Sequence, residues 1–206
     1  MSRDAERSRA AILDAAEACF AAQGFAETTL QQVGAAAGLS RASPAYFFGS
    51  KDALHGAVLA RLFKARQDAT AAAFAPLRRW CEDEALDLRE ALEQATEDYL
   101  RFLLGRPAFV TLLVRDDLAG GERLRATPRR STAMHDAFAA VSAVGGGRGL
   151  RGFDVDDVVL VLVSLTFTPL ALRSTFMASL GRDLTHAATR RRHVELVADR
   201  VLSMLV

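Results

Sequence analysis

The sequence has little net charge, little cysteine and no apolar run long enough to cross a membrane. Its 206 residues carry 26 Lys and Arg against 25 Asp and Glu, a formal net charge of +1. This balance provides no overall attraction for nucleic acid or for a membrane surface. The most apolar run, residues 158–172, is shorter than the ~20 residues that a membrane helix needs. The charged N-terminus contains no apolar signal segment, so we expect a cytoplasmic protein.

The residues that usually support catalysis or metal binding are sparse and scattered. The two cysteines, Cys19 and Cys81, form neither a CxxC motif nor a zinc-ligand spacing, and we expect both to be reduced thiols. Asp183 and His186 share a helical spacing but lack a second pair of ligands. No GxSxG motif and no nucleotide-binding glycine pattern is present. We therefore expect no metal, no cofactor and no enzymatic activity.

Proline and glycine are also few, and their placement predicts an all-α fold. The 5 Pro and 14 Gly mostly separate apolar stretches that repeat every three to four residues, and no strand-like alternation is present. The pattern predicts about nine helices, at roughly 5–23, 28–37, 41–48, 51–74, 88–104, from 107, from 127, 155–180 and from 185.

Several residues mark the ends of these helices. Thr28 with Gln31 matches a capping box, and Asp87, Asp154 and Thr185 are expected N-caps. Pro107 is placed to open the sixth helix and Pro169 to bend the eighth. The segment around Trp80 to Leu86 is expected to be a loop, and the glycines of 145–152 a flexible connection. The basic run 190–193 is expected to be a solvated helix face, as is the Glu90, Glu93, Glu97 stripe.

Residues 29–48 have the lengths of a helix-turn-helix motif. A helix over 29–37 is followed by the turn Gly38-Leu39-Ser40 and a second helix over 41–48. The second helix carries polar and aromatic side chains at its exposed positions, which suits a helix lying in a DNA major groove. We therefore expect residues 1–50 to form a DNA-binding domain and residues 51–206 a second helical domain.

The motif and its flanks resemble the N-terminal domain of the TetR family. The resemblance covers residues 7–66 and is carried by Thr28-Thr29-Leu30, by Ala37-Gly38-Leu39-Ser40-Arg41, and by Tyr46-Phe47-Phe48-Gly49-Ser50-Lys51-Asp52-Ala53-Leu54. It implies a transcription regulator, most often a repressor, that binds a palindromic DNA operator as a homodimer and is released by a small molecule. It also implies that residues 51–206 form the ligand-binding and dimerisation domain.

The resemblance also implies roles for individual residues. Arg41 would contact a base or a phosphate, Tyr46 a phosphate or sugar, and Lys51 a phosphate beside the fourth helix. The DNA-contacting set is expected to be Thr29, Arg41, Ala42, Ser43, Ala45, Tyr46, Phe47 and Lys51.

Two residues depart from the family pattern. Pro44 stands where the family usually has leucine, and Ala45 where it often has tyrosine. Because proline lacks an N–H and disfavours helical dihedrals in the residue before it, two starts of the recognition helix stay open. The helix begins after a Ser40 cap, or after a Ser43 cap with Pro44 in its first position.

The rest of the chain supplies apolar surface for a ligand and for a second subunit. A pocket for an apolar or aromatic effector is expected among helices five to eight. Its candidate lining residues are Trp80, Tyr99, Phe102, Phe109, Leu112, Phe138, Phe167 and Met177. The eighth and ninth helices are expected to form the homodimer interface.

Two other functions remain as alternatives to a DNA-binding regulator. One is a binding protein that has lost DNA recognition, and the other is an enzyme on a helical scaffold.

Overall fold

The computed structural model describes residues 3–126 and 133–206, and all regular structure in these ranges is helical. This confirms the predicted all-α fold, while the helix start expected at Thr127 lies outside the described residues. A 3-10 turn (Gly146–Arg148) follows α9, and a π-helical turn (Arg173–Met177) follows α10. The helices are α1 (Arg3–Gln23), α2 (Leu30–Ala36), α3 (Ser43–Phe48), α4 (Lys51–Ala73), α5 (Ala75–Glu82), α6 (Leu88–Leu104), α7 (Pro107–Leu118), α8 (Glu122–Ala126), α9 (Ala133–Gly145), α10 (Val155–Ala171) and α11 (Ala187–Leu205).

Two long helices, α6 and α10, begin after an aspartate that was predicted to be the N-cap. The Asp87 carboxylate accepts a hydrogen bond from the Glu90 backbone N–H at 2.9 Å. The Asp154 carboxylate accepts from the backbone N–H groups of Asp156 and Asp157, at 2.8 and 3.2 Å. These aspartates satisfy N–H groups that have no partner within the helix, and both predicted caps are confirmed.

Two other predicted caps are wrong by one residue. The capping box of α2 is formed by Thr29 and Gln32, whose side chains each accept from the other's backbone N–H. The Thr28 hydroxyl instead donates to the Gly24 carbonyl at 2.7 Å. At the far end of the chain α11 begins after His186, which makes no side-chain cap, rather than after Thr185.

Two segments expected to be irregular are ordered turns or helix. Trp80 lies buried inside α5, so the predicted loop starts only after Glu82. Gly145 ends α9 in a packed position, because a Cβ there would lie 2.9 Å from the Leu150 Cδ1. Arg148 donates to the carbonyl of Trp80 and lies 4.4 Å over its ring. The glycine-rich segment is therefore a hydrogen-bonded turn and not an open connection.

The described residues of 1–64 and 108–129 form one compact unit. Ile12, Phe20 and Val33 are completely buried in it. Arg61 on α4 pairs with Asp14 and Glu17 on α1, at 2.6 and 2.7 Å. These ion pairs link α1 to α4, while α2 packs on α1 and α3 packs on α2.

The described residues of 65–107 and 130–206 form a second compact unit. In it α11 packs on α6 and α10, and α5 packs on α6 and α9. Burial disfavours the Glu97 carboxylate, but hydrogen bonds from Arg190 and Arg101 outweigh this effect and hold the pKa of Glu97 below its ordinary value. Arg190 also donates to the Leu184 and Thr185 carbonyls. Arg190 and Glu97 thus form a half-buried link between helices, which corrects the expectation that both face water.

Candidate DNA-binding surface and ligand cavities

The second helix of the motif, α3, is short and starts late. It spans the six residues Ser43–Phe48, with Ala42 as N-cap and Pro44 in the first turn. The start after Ser40 is therefore wrong, and the helix begins within one residue of the second predicted start. In the first turn the missing proline N–H removes no intrahelical hydrogen bond, which is why the sequence tolerates Pro44 there.

A glycine lets α2 and α3 approach closely. Gly34 is buried in the middle of α2, and a Cβ built on it would lie 2.7 Å from the Ser40 carbonyl oxygen. The same Cβ would lie 3.1 Å from the Arg41 Cα and 3.1 Å from the Pro44 Cδ. Only a residue without a side chain fits this approach. The buried Pro44 thus faces α2, and the opposite side of α3 faces outward.

Two basic side chains, Arg9 and Lys51, make contacts near the C-terminal end of α3. Arg9 on α1 donates to the Phe47 carbonyl at 3.3 Å and lies 4.2 Å over the ring of Phe48. Lys51 donates to the carbonyls of Phe25 and Ala26, at 2.9 and 3.0 Å. An ammonium group has three donors, and these hydrogen bonds use two of them. The Lys51 Nζ also lies 4.5 Å over the ring of Phe25.

None of the predicted DNA-contacting residues is fully buried. Tyr46 is 84% exposed, and its ring packs edge-on against Phe47 at 5.2 Å. Ser43 is hydrogen-bonded to the Ser40 hydroxyl at 2.8 Å, and the Thr29 hydroxyl is occupied in the α2 cap. The exposed members of the set are Thr29, Arg41, Ala42, Ala45 and Tyr46, and the half-buried members are Ser43, Phe47 and Lys51.

Comparisons with known proteins match both parts of the chain. Residues 12–58 match the family model described as bacterial regulatory proteins, tetR family. Residues 89–201 match the model described as tetracyclin repressor-like, C-terminal domain, and this match alone covers more than half of the chain. The chain belongs to the TetR family of bacterial regulatory proteins.

Individual relatives agree with this assignment over almost the whole length. The chain is 25% identical over 206 residues to the HTH-type transcriptional repressor NicS of Pseudomonas putida, covering 98% of this chain and 93% of that protein. A TetR-family regulator from Haemophilus influenzae has the same fold with a TM-score of 0.70, at 14% identity and 99% coverage of both chains. A TetR-family regulator from Marinobacter aquaeolei aligns with a TM-score of 0.68, at 19% identity and 100% and 98% coverage. The chain is thus a transcriptional regulator with the TetR fold, which supports a non-enzymatic role.

In this TetR-family chain most residues predicted to line a ligand pocket lie in packed cores. Phe109 and Leu112 are buried in the first unit. In the second unit Phe74 packs edge-on against Tyr99 and Phe138, with ring centroids 6.2 and 6.1 Å apart. Burial raises the pKa of the Tyr99 hydroxyl. Trp80 and Met177 are also buried, whereas Phe102 and Phe167 are half-buried.

Two openings in the second unit are large enough for a small molecule. One, of about 400 Å³, lies at the end of α10, and Met177 is the predicted residue that lines it. The other, of about 490 Å³, lies beside α5 and is lined by Arg79 and by the acidic Asp83, Asp87 and Glu90. Sequence reasoning missed the basic residues of the first opening, Arg173 and Arg182, because they come from separate turns.

Within residues 3–126 and 133–206, no group of three or more His, Cys, Asp or Glu side chains could hold a metal ion. None of the helices in those ranges is both long and apolar enough to cross a membrane.

Proposed function

We propose that this TetR-family regulator is a repressor that binds a near-palindromic operator as a homodimer and is released by a small molecule. The observation that carries the proposal is that one side of α3 is packed against α2 while the other side is exposed. Pro44 is buried against α2, while Arg41, Ala45 and Tyr46 are exposed on the motif. A helix anchored on one side and exposed on the other can enter a major groove without rearrangement.

Base recognition falls to few side chains, because a six-residue helix is only about 9 Å long. Arg41 makes no side-chain hydrogen bond or ion pair with the residues that the structure describes, so its guanidinium is available for a base edge or a phosphate. Lys51 is assigned a phosphate contact. We assign DNA recognition to residues 1–50, and ligand binding and dimerisation to residues 51–206.

The second unit carries the apolar surface that a dimer would cover. Leu160 on α10 is 63% exposed, and Phe176 in the π-helical turn is 56% exposed. Leu172, Leu180 and Leu196 are also exposed. Large exposed apolar side chains of this number favour an interface between subunits. Leu160 lies on α10 and Leu196 on α11, which correspond to the predicted eighth and ninth helices, and the other three residues follow α10. Two-fold symmetry would place two α3 helices about 34–36 Å apart on one face of the DNA.

Release requires that the effector bind the DNA-free conformation more tightly than the DNA-bound one. A 100-fold difference corresponds to ~2.7 kcal/mol, which lies within the ~1–3 kcal/mol typical of allosteric coupling. The cytoplasm, where the operator is located, is the compartment that this function requires.

The test is a selection of random DNA duplexes on the purified protein, sequenced at two salt concentrations. We expect a palindromic motif bound in the nanomolar range, with affinity that falls as salt rises. Arg41→Ala should reduce affinity for the selected sequence by ~1–3 kcal/mol and relax preference at one position of each half-site. No enrichment over non-specific binding would refute the function, and a monomer mass by light scattering at micromolar concentration would refute the dimer.

A further inference from the structure

The cavity at the end of α10 combines an apolar floor with a basic rim. Its volume is about 400 Å³, within the ~300–1,000 Å³ typical of small-molecule sites. Leu170, Met177 and Leu184 line it and are buried. Arg173 and Arg182 also line it, and both are exposed to solvent. The cavity thus offers a place for an apolar body and a place for a negative charge.

The only acidic residue of the cavity lining is already engaged. The Asp183 carboxylate accepts a hydrogen bond from the Thr185 backbone N–H at 2.8 Å, and this hydrogen bond is the main reason that the pKa of Asp183 lies below its ordinary value. Two guanidinium groups against one carboxylate leave the lining with a net charge of +1. The Arg182 side chain makes no hydrogen bond or ion pair within residues 3–126 and 133–206. Its planar set of donors matches a carboxylate.

The backbone is irregular at the same place. Pro169 lies inside the last turns of α10, and the chain then continues as the π-helical turn Arg173–Met177. Arg173 and Met177, the ends of that turn, both line the cavity. Single π-helical turns are rare and occur frequently at functional sites, so the wide turn is a second observation that points to this cavity.

We propose that the cavity binds a small organic anion, a carboxylate with an apolar body. The carboxylate lies between Arg173 and Arg182, and the body covers Leu170, Met177 and Leu184. A neutral apolar molecule would fill the floor but leave both guanidinium groups in water. That this anion is the effector rests on the proposed function, whereas the binding site itself does not.

The test is calorimetric titration of the free protein with butyrate, octanoate and 3-phenylpropionate, each paired with its uncharged amide. We expect at least one carboxylate to bind, and its amide to bind at least 10-fold more weakly. The double variant Arg173→Gln/Arg182→Gln should weaken carboxylate binding by about 10- to 100-fold, because it removes charge-assisted hydrogen bonds. Arg191→Gln/Arg192→Gln, at two exposed arginines of α11 outside the cavity lining, removes the same charge and should bind as the natural chain does.

A second variant tests the position without changing the charge. Ala178 is an exposed residue of the lining, and Ala178→Phe should fill the cavity and abolish binding. The inference is overturned if no carboxylate binds, if the amide binds equally well, or if binding survives in Arg173→Gln/Arg182→Gln.

Operator binding is measured separately on the selected DNA duplex. Release of that duplex by the bound carboxylate supports the effector role. Carboxylate binding that leaves the operator complex intact upholds the site and overturns the effector role.

Discussion

The close approach at Gly34 predicts that substitution by alanine has opposite effects on stability at two glycines. Gly34 and Gly56 both lie inside helices, in α2 and α4. In an exposed helix interior, Gly→Ala stabilises by ~0.5–1 kcal/mol through backbone entropy. A Cβ on Gly56 meets no atom within 4 Å, so Gly56→Ala should show that full gain.

Gly34→Ala gains the same entropy but must accommodate a Cβ 2.7 Å from the Ser40 carbonyl oxygen and 3.1 Å from the Arg41 Cα. Both neighbours are backbone atoms, so the turn before α3 has to move by several tenths of an ångström. Overpacking of this kind costs ~1–3 kcal/mol. The net result should be a loss of ~1–2 kcal/mol in the free energy of unfolding, together with displacement of α3.

Urea unfolding followed by circular dichroism measures the stability of both variants, and titration of the selected operator measures recognition. Gly34→Ala should unfold at lower urea than the natural chain and bind the operator more weakly, while Gly56→Ala should unfold at higher urea. If Gly34→Ala is stabilised as Gly56→Ala is, with unchanged operator affinity, the packing argument is refuted.

Three further substitutions test other contacts. Arg148→Ala should lower the free energy of unfolding by ~1–2 kcal/mol, because a stacked guanidinium and its hydrogen bonds are lost. It should also change the fluorescence of the single tryptophan, Trp80, and an unaltered emission spectrum contradicts this. Glu97→Gln should reduce the fall in the free energy of unfolding at acid pH. A carboxylate with a lowered pKa stabilises the fold above its unfolded pKa of ~4.3 and loses that contribution as pH falls through its folded pKa. Unfolding free energies between pH 7 and pH 3 check this, and an unchanged pH dependence counts against the Arg190 link. Lys51→Ala should lower the free energy of unfolding by ~1 kcal/mol, because the hydrogen bonds to the Phe25 and Ala26 carbonyls are lost. From the proposed phosphate contact, it should also reduce the salt slope of DNA binding by about one. A salt slope equal to that of the natural chain would remove Lys51 from the DNA contacts.

Sequence reasoning succeeded where one local signal had no competitor. Asp87 and Asp154 each precede an apolar helix with no second capping residue beside them, and both caps are confirmed. It failed by one residue at α2, where Thr28 is followed by Thr29 and Gln31 by Gln32. Both registers satisfy the capping pattern, and the packing of buried Thr28 decides between them.

Other features of the structure depend on contacts that local sequence patterns do not show. Arg190 belongs to a basic run and was predicted to face solvent, because its partner Glu97 lies 93 positions away in the sequence. Arg173 and Arg182 become neighbours in one cavity only because a π-helical turn and a loop bring them together. The aromatic residues predicted to line a pocket are mostly core residues, because large apolar side chains fill interiors more often than they line cavities.

The contact between Gly34 and Pro44 also bears on any attempt to retarget this regulator to a new operator. The two residues belong to different helices, yet the space left by one is occupied by the other. A combinatorial library that randomises only the exposed side of α3 keeps this pair intact and varies recognition alone. A library that replaces Pro44 should randomise position 34 as well, because single changes at either position would be selected for repacking before they could be selected for sequence preference.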